Sequence, residues 1–184
     1  KTEYKVCIRA ISSSNITVHD CSAVKWIYND FFKASHSTDL KMYNCNVVTG
    51  HAAAYFFKCK RCQVYKNKIL VYTNAGIRGD GTTENCKYYN NTIWCEAYSG
   101  QAAFEFQNAS GGTEMHHNLV YDFSKSFSHH CVVQNAGGVT GTISFHDNVY
   151  WNCSGGVQVG SGTGNKVNPA DHNVSNWIAK GYGW

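Results

Sequence analysis

The hydrophobic pattern of the chain returns seven times to one phrase: an apolar residue, two variable residues, Asn or Cys, one variable residue, then usually an apolar residue again. The copies centre on Cys21 (Val18 to Ala23), Cys45 (Met42 to Val47), Asn67 (Val64 to Ile69), Asn91 (Tyr88 to Ile93), Asn118 (Met115 to Val120), Asn148 (Phe145 to Tyr150) and Asn173 (Ala170 to Ser175). Successive centres lie 24, 22, 24, 27, 30 and 25 residues apart, and a period in the twenties marks a solenoid. Alternation on both sides of each centre has the period of half-buried strands rather than of a helix. Two short strands therefore meet at one corner, where Asn tolerates left-handed backbone angles and bonds nearby backbone groups.

Fourteen residues before the centres stand Cys7, Phe31, Ala53, Ile77, Phe104, Gln134 and Val159. Most are apolar with alternating neighbours, which predicts a third strand per repeat. Three strands in about two dozen residues, stacked in parallel, describe an all-β chain. It is a single right-handed parallel β-helix of about seven coils across residues 1–184, with an Asn/Cys ladder at one turn. The ladder column is Cys21, Cys45, Asn67, Asn91, Asn118, Asn148 and Asn173.

The phrase resembles the parallel β-helix repeats of the pectate-lyase-like superfamily, over roughly residues 5 to 175. That resemblance speaks to fold more than to function, because such repeats serve polysaccharide lyases, hydrolases, epimerases, phage tailspikes and surface proteins alike. It directs attention to the first-strand face, where glycan-cleaving members carry clustered acids or a basic residue. Here that face offers Arg78 and Glu105 in one column, with His130 above, as the only candidate catalytic trio. Asp80 and Glu84 are assigned to the preceding loop, leaving one carboxylate where an inverting hydrolase needs two. The balance of the residues leans away from an enzyme.

Cysteine usage is heavy, at nine residues. Cys21 and Cys45 share the corner position in adjacent coils, and Cys62 and Cys86 each precede a centre by five residues. Stacked equivalents lie one strand spacing apart, within reach of a disulfide. Bridges Cys21–Cys45 and Cys62–Cys86 are expected, with Cys131–Cys153 as a third. Together with sequons at Asn15, Asn90, Asn108 and Asn152, they point to an extracellular, cell-surface or virion-surface location. A fifth sequon at Asn173 falls in the ladder and should be inaccessible.

Two outward columns follow from the register. His19, Tyr43, Tyr65, Tyr89, His116 and His146, two residues before the centres, form a column of rings able to meet a glycan or simply to stack on one another. Val24, Val48, Leu70, Trp94, Tyr121 and Trp151, three residues after the centres, form an apolar stripe suited to a protein interface if it faces outward. His116 and His146 alone do not make a metal centre, so neither metal nor cofactor is expected. A net charge of +4 spread along the chain is too weak for a nucleic-acid face, and no run of about 18 apolar residues predicts a membrane-spanning helix.

The chain begins at Lys1 rather than Met, which suggests a processed chain or an excised fragment. Neither its first residues nor Asn176–Trp184 has the polar outer face of a solenoid cap. Uncapped ends favour a structural, self-assembling subunit of an extracellular fibre, appendage or coat. The alternative is a carbohydrate-binding or polysaccharide-cleaving β-helix.

Overall fold

The computed structural model describes residues 6–27, 29–96, 102–107, 111–123, 130–135, 143–153 and 163–184, the side chains of 25–27 and 130–135 excepted. It is a parallel β-solenoid with three sheets. The first sheet stacks Ile8–Ile11, Phe32–Ser35, Ala54–Phe57, Ala75–Asp80, Ala102–Gln107 and His130–Asn135. The second stacks Thr17–His19, Lys41–Tyr43, Gln63–Tyr65, Lys87–Tyr89, Thr113–His116 and Ile143–His146. The third stacks Ser22–Ile27, Asn46–Thr49, Lys68–Val71, Thr92–Cys95, Leu119–Tyr121, Val149–Trp151 and the two-residue strand Lys166–Val167. Six coils thus carry a strand in every sheet, and the seventh is a short remnant.

The core is a set of inward columns. Met42, Val64, Tyr88, Met115 and Phe145 stack inside the second sheet, and Val47, Ile69, Ile93, Val120 and Tyr150 inside the third, all fully buried. Phe32, Phe56, Phe104 and Phe106 fill the space behind the first sheet. The fixed 14-residue offset to the first strand slips at the fourth coil. There Ile77 aligns with Phe32 and Ala54 rather than with Phe31 and Ala53, because the first corner of that coil is one residue longer. Val159 lies outside the described residues, as does the side chain of Gln134.

The corner chemistry differs from the sequence expectation in one respect. The left-handed residue is the one before each ladder centre: Asp20, Asn44, Lys66, Asn90, His117 and Asp147 all have φ between 52° and 54°. The ladder residue itself points inward and spends its amide on neighbouring coils. Asn91 Oδ1 accepts from both the backbone N–H (3.2 Å) and Nδ2 (2.9 Å) of Asn67, while Asn91 Nδ2 reaches Val64 O at 2.9 Å and Asn118 Oδ1 at 3.0 Å. Asn118 and Asn148 repeat the arrangement. These bonds satisfy backbone groups that a buried corner would otherwise strand, at a cost of about 1–3 kcal/mol each.

The last rung is Asn165, not Asn173. Asn148 N–H and Nδ2 donate to Asn165 Oδ1 at 2.9 and 3.1 Å, only 17 residues on. Gly164 takes the left-handed corner with φ 74°, and a Cβ there would lie 2.1 Å from Asp147 Oδ1. Asn173 instead caps a helix over Val174–Ala179, accepting from the N–H groups of Ser175 (3.0 Å) and Asn176 (3.2 Å). It is exposed, so its sequon is accessible after all.

A second ladder runs up the corner between the first and second sheets, formed by Ser13, Ser37, Cys59 and Thr83. Ser37 Oγ accepts from Ser13 N–H at 3.1 Å, and Thr83 Oγ1 from Cys59 N–H at 3.4 Å. Neither of the two expected bridges forms at these corners: Cys21, Cys45, Cys62 and Cys86 are free thiols. Parallel in-register strands give equivalent residues the same side-chain direction, so stacked thiols lie alongside one another, and Cys86 Sγ accepts from the Cys62 backbone N–H at 3.3 Å instead of bonding to its sulfur. Each thiol turns back to the carbonyl two residues earlier, at 3.1–3.6 Å. Cys153 is not among the free thiols, and the side chain of its expected partner Cys131 lies outside the described residues.

Candidate functional site

Two outward columns on the first sheet run side by side. One is Arg9, Lys33, Tyr55, Arg78 and Glu105; the other is Ile11, Ser35, Phe57, Asp80 and Gln107. Their centre is a charged cluster. Arg78 Cζ lies 5.1 Å from the Tyr55 ring centroid and Lys33 Nζ 4.6 Å from it. Tyr55 OH donates to Asp80 Oδ2 at 3.2 Å, and Arg78 donates to Gln107 Oε1 at 2.8 Å, while Gln107 also donates to Glu105. The guanidinium stands 3.5 Å from both Asp80 and Glu105. Burial, with Asp80 nearby, raises the Tyr55 phenol above its ordinary pKa, which keeps it a neutral donor.

Two atoms of this cluster are buried without a hydrogen-bond partner: Arg78 Nε and Glu105 Oε2. The Glu105 side chain is only 8% exposed. A third such atom is Asp30 Oδ2, at the edge of the cluster. Its carboxylate is 1% exposed, 2.6 Å from His51 Nδ1 and 3.6 Å from Lys33 Nζ. Burying charge with incomplete pairing is costly, and such groups concentrate where a ligand completes them.

This face corrects the sequence expectation twice. Asp80 belongs to the strand rather than to the loop, so two carboxylates flank Arg78. His130 pairs with Ala102 in a column of alanines, whereas Glu105 pairs with Val133, so the backbone register separates His130 from Arg78 and Glu105. Lys33, Tyr55 and Gln107 escaped notice, although Lys33, Tyr55 and Arg78 recur at 22 and 23 residues, the coil period itself.

On the second sheet, the ring column is an unbroken stack. His19–Tyr43, Tyr43–Tyr65, Tyr65–Tyr89, Tyr89–His116 and His116–His146 have centroids 4.8–5.1 Å apart and planes within 14°. Each pair contributes about 0.5–1.5 kcal/mol beyond the area it buries. Ring faces are largely spent on one another, so the surface presents edges and a row of phenol hydroxyls. That favours a structural role over sugar stacking.

The stripe on the third sheet does face outward. Val24 is 63% exposed and Val48, Leu70, Trp94 and Tyr121 are half-buried. Trp151 is covered: the chain beyond Asn168 folds back along this sheet as a strap. Trp177 packs with Leu119, Val149 and Trp151, His172 stacks on Trp151 at 5.5 Å, and Tyr182 stacks on His117 at 5.6 Å. Gly183 N–H donates to His117 O at 2.8 Å. With φ 71°, Gly183 passes so close to the sheet that a Cβ would lie 2.5 Å from Thr92 Oγ1. The aromatic tail thus covers a flank of the third sheet.

Of the sequons, Asn15 and Asn152 are exposed, Asn90 is half-buried, and Asn108 lies outside the described residues. No three His, Cys, Asp or Glu side chains converge on a metal-binding position among the described residues, and none of their helices is long and apolar enough to cross a membrane. No family model matches the chain, and neither a curated protein nor a solved structure does.

Proposed function

We propose that this chain is an extracellular carbohydrate-binding β-solenoid related to the pectate-lyase-like repeat proteins, and that its glycan lies across the first sheet. The observation that carries this reading is the Lys33–Tyr55–Arg78–Asp80–Glu105–Gln107 cluster with its unmatched buried atoms. Sugar hydroxyls are both donors and acceptors, and they complement planar guanidinium, carboxylate and amide groups arrayed beside a ring. The accessible sequons at Asn15 and Asn152 support the location; the free thiols do not. Asp80 and Glu105 around Arg78 also provide carboxylates for bond cleavage, so turnover belongs in the same test.

Affinity electrophoresis of the full chain against neutral and acidic polysaccharides tests the proposal, with new reducing ends and unsaturated uronates measured in parallel. Retardation by at least one glycan is expected. It should be lost in the Arg78→Met/Glu105→Leu double variant, in which Asp80 keeps Tyr55 OH as its donor and unchanged circular dichroism verifies the fold. If no polysaccharide retards the wild-type chain, or if the double variant binds equally, the reading fails.

A structural, self-assembling role is the second reading, favoured by Ile11 and Val24, which leave the first coil with large apolar side chains 52% and 63% exposed. Ordered assemblies under the electron microscope would support it. A dispersed monomer at high concentration would remove it.

A further inference from the structure

Two adjacent histidines occupy the corner between the second and third sheets in the fifth coil, and each belongs to a different structure. His116 is part of the outer ring stack, 5.1 Å from Tyr89 on one side and 5.1 Å from His146 on the other. His117 turns to the opposite side, where its ring meets Tyr182 of the strap and its carbonyl accepts Gly183 N–H. The two imidazoles cross at 89° with their Nδ1 atoms 3.0 Å apart. At that separation one Nδ1 must carry a proton and the other must not. This bond therefore links the ring stack to the imidazole on which Tyr182 packs, beside a separate anchor in which Thr92 Oγ1 accepts Trp184 N–H at 3.0 Å and donates to Trp184 O at 3.1 Å.

We propose that the His116–His117 bond is a proton-operated latch on the C-terminal strap. When both imidazoles are protonated, both Nδ1 atoms become donors, the bond cannot form, and His117 releases the Tyr182–Gly183 contact. A single added proton does not open it, because the charged imidazole of the pair still donates to the neutral one.

The surrounding charges give no dedicated counter-ion to a doubly protonated pair. Glu114 is taken by Lys87 at 2.9 Å and by His146 at 3.3 Å, and Asp147 by His146 at 2.9 Å. Lys166, on the neighbouring coil, approaches the Tyr182 ring at 5.9 Å and adds positive charge on the strap side. Burial pushes the His116 pKa down; the Glu114 charge opposes it, and His146, His117 and Lys87 add to it. Protonation of His116, the step that breaks the bond, accordingly falls below the ordinary histidine range, and the Tyr182–Gly183 end of the strap loosens in mild acid while Trp177 stays packed.

Hydrogen exchange on the full chain, corrected for the intrinsic pH dependence of exchange, reads this directly. Between neutral pH and about pH 5, exchange at Gly183, whose N–H donates to His117 O, should accelerate by about five- to tenfold, the equivalent of one lost hydrogen bond. Ladder amides at Asn91 and Asn118 should stay protected, which separates strap release from unfolding. His117→Gln supplies an amide that accepts as readily as it donates, so its strap should stay closed across the range. His116→Phe keeps a ring in the stack but has no Nδ1, and should leave the strap loosened at every pH. Constant protection in the wild type, an unchanged acid step in His117→Gln, wild-type behaviour in His116→Phe, or simultaneous loss at the ladder amides would each overturn the latch.

Discussion

Asn91 and Asn173 are the same residue type at two centres of one sequence pattern, and they do unequal work. The Asn91 amide is fully buried and joins three coils, so Asn91→Ala leaves several interior groups unpaired and should cost about 3 kcal/mol or more in chemical denaturation. Asn173→Ala removes one exposed helix cap and should cost about 1 kcal/mol, confined to the strap. Cys45 shows the same logic in reverse. Its backbone N–H donates to Asn67 Oδ1 at 2.9 Å, but its thiol gives the coil before it no amide oxygen. Cys45→Asn should extend the ladder by one rung and raise stability by about 1 kcal/mol, whereas a loss would mean that the site cannot accommodate an amide. The ladder column was legible in the sequence for six centres because spacing and flanking apolar residues agreed. It failed at the seventh, where the final coil is short and Gly164–Asn165 lack the apolar residue three positions before the centre.

Among the elements, the strap is the one that sequence periodicity missed. Its helix is only six residues long and joins no repeat, and its stability comes from tertiary packing rather than from a local pattern. Trp177 is 5% exposed against Leu119, Val149 and Trp151. Trp177→Ala should therefore cost the strap about 3–5 kcal/mol. The visible result should be fast exchange at Gly183 with the ladder amides still slow; loss of the whole circular dichroism signal instead would show that strap and body unfold together. The first-sheet cluster lies between these extremes. Alternation placed Arg78 and Glu105 in one column, but an extra residue in the fourth coil's first corner hid the alignment of Asp80, and the Tyr55 ring under two cations is a contact between three coils that no local rule supplies.

Over the whole molecule, stacked coils contact chiefly their neighbours, so stability is close to a sum over coils and the interfaces between them. Deleting residues 46–67, one 22-residue period between Cys45 and Asn67, joins Cys45 directly to Lys68 and preserves every column on either side. The shortened chain should keep its β-sheet circular dichroism with a lower unfolding midpoint. Deleting 47–67, one residue fewer, brings Lys68 to the inward position of Val47 and turns Ile69 outward, and should abolish cooperative unfolding.

What the sequence determined by itself is the part of the fold that repeats: the three-strand coil, the inward columns and the position of the corners. These follow from local periodicity, and a repeating chain states each of them several times. What only the tertiary structure decided is where the repeat breaks or where coils meet. Which residue ends the ladder, whether stacked thiols converge into bridges, how the rings spend their faces, and where the aromatic tail lies all depend on side-chain direction and on contacts between distant segments. The charged cluster and the histidine latch belong to this second group, because each is assembled from side chains that are adjacent only after the coils have stacked.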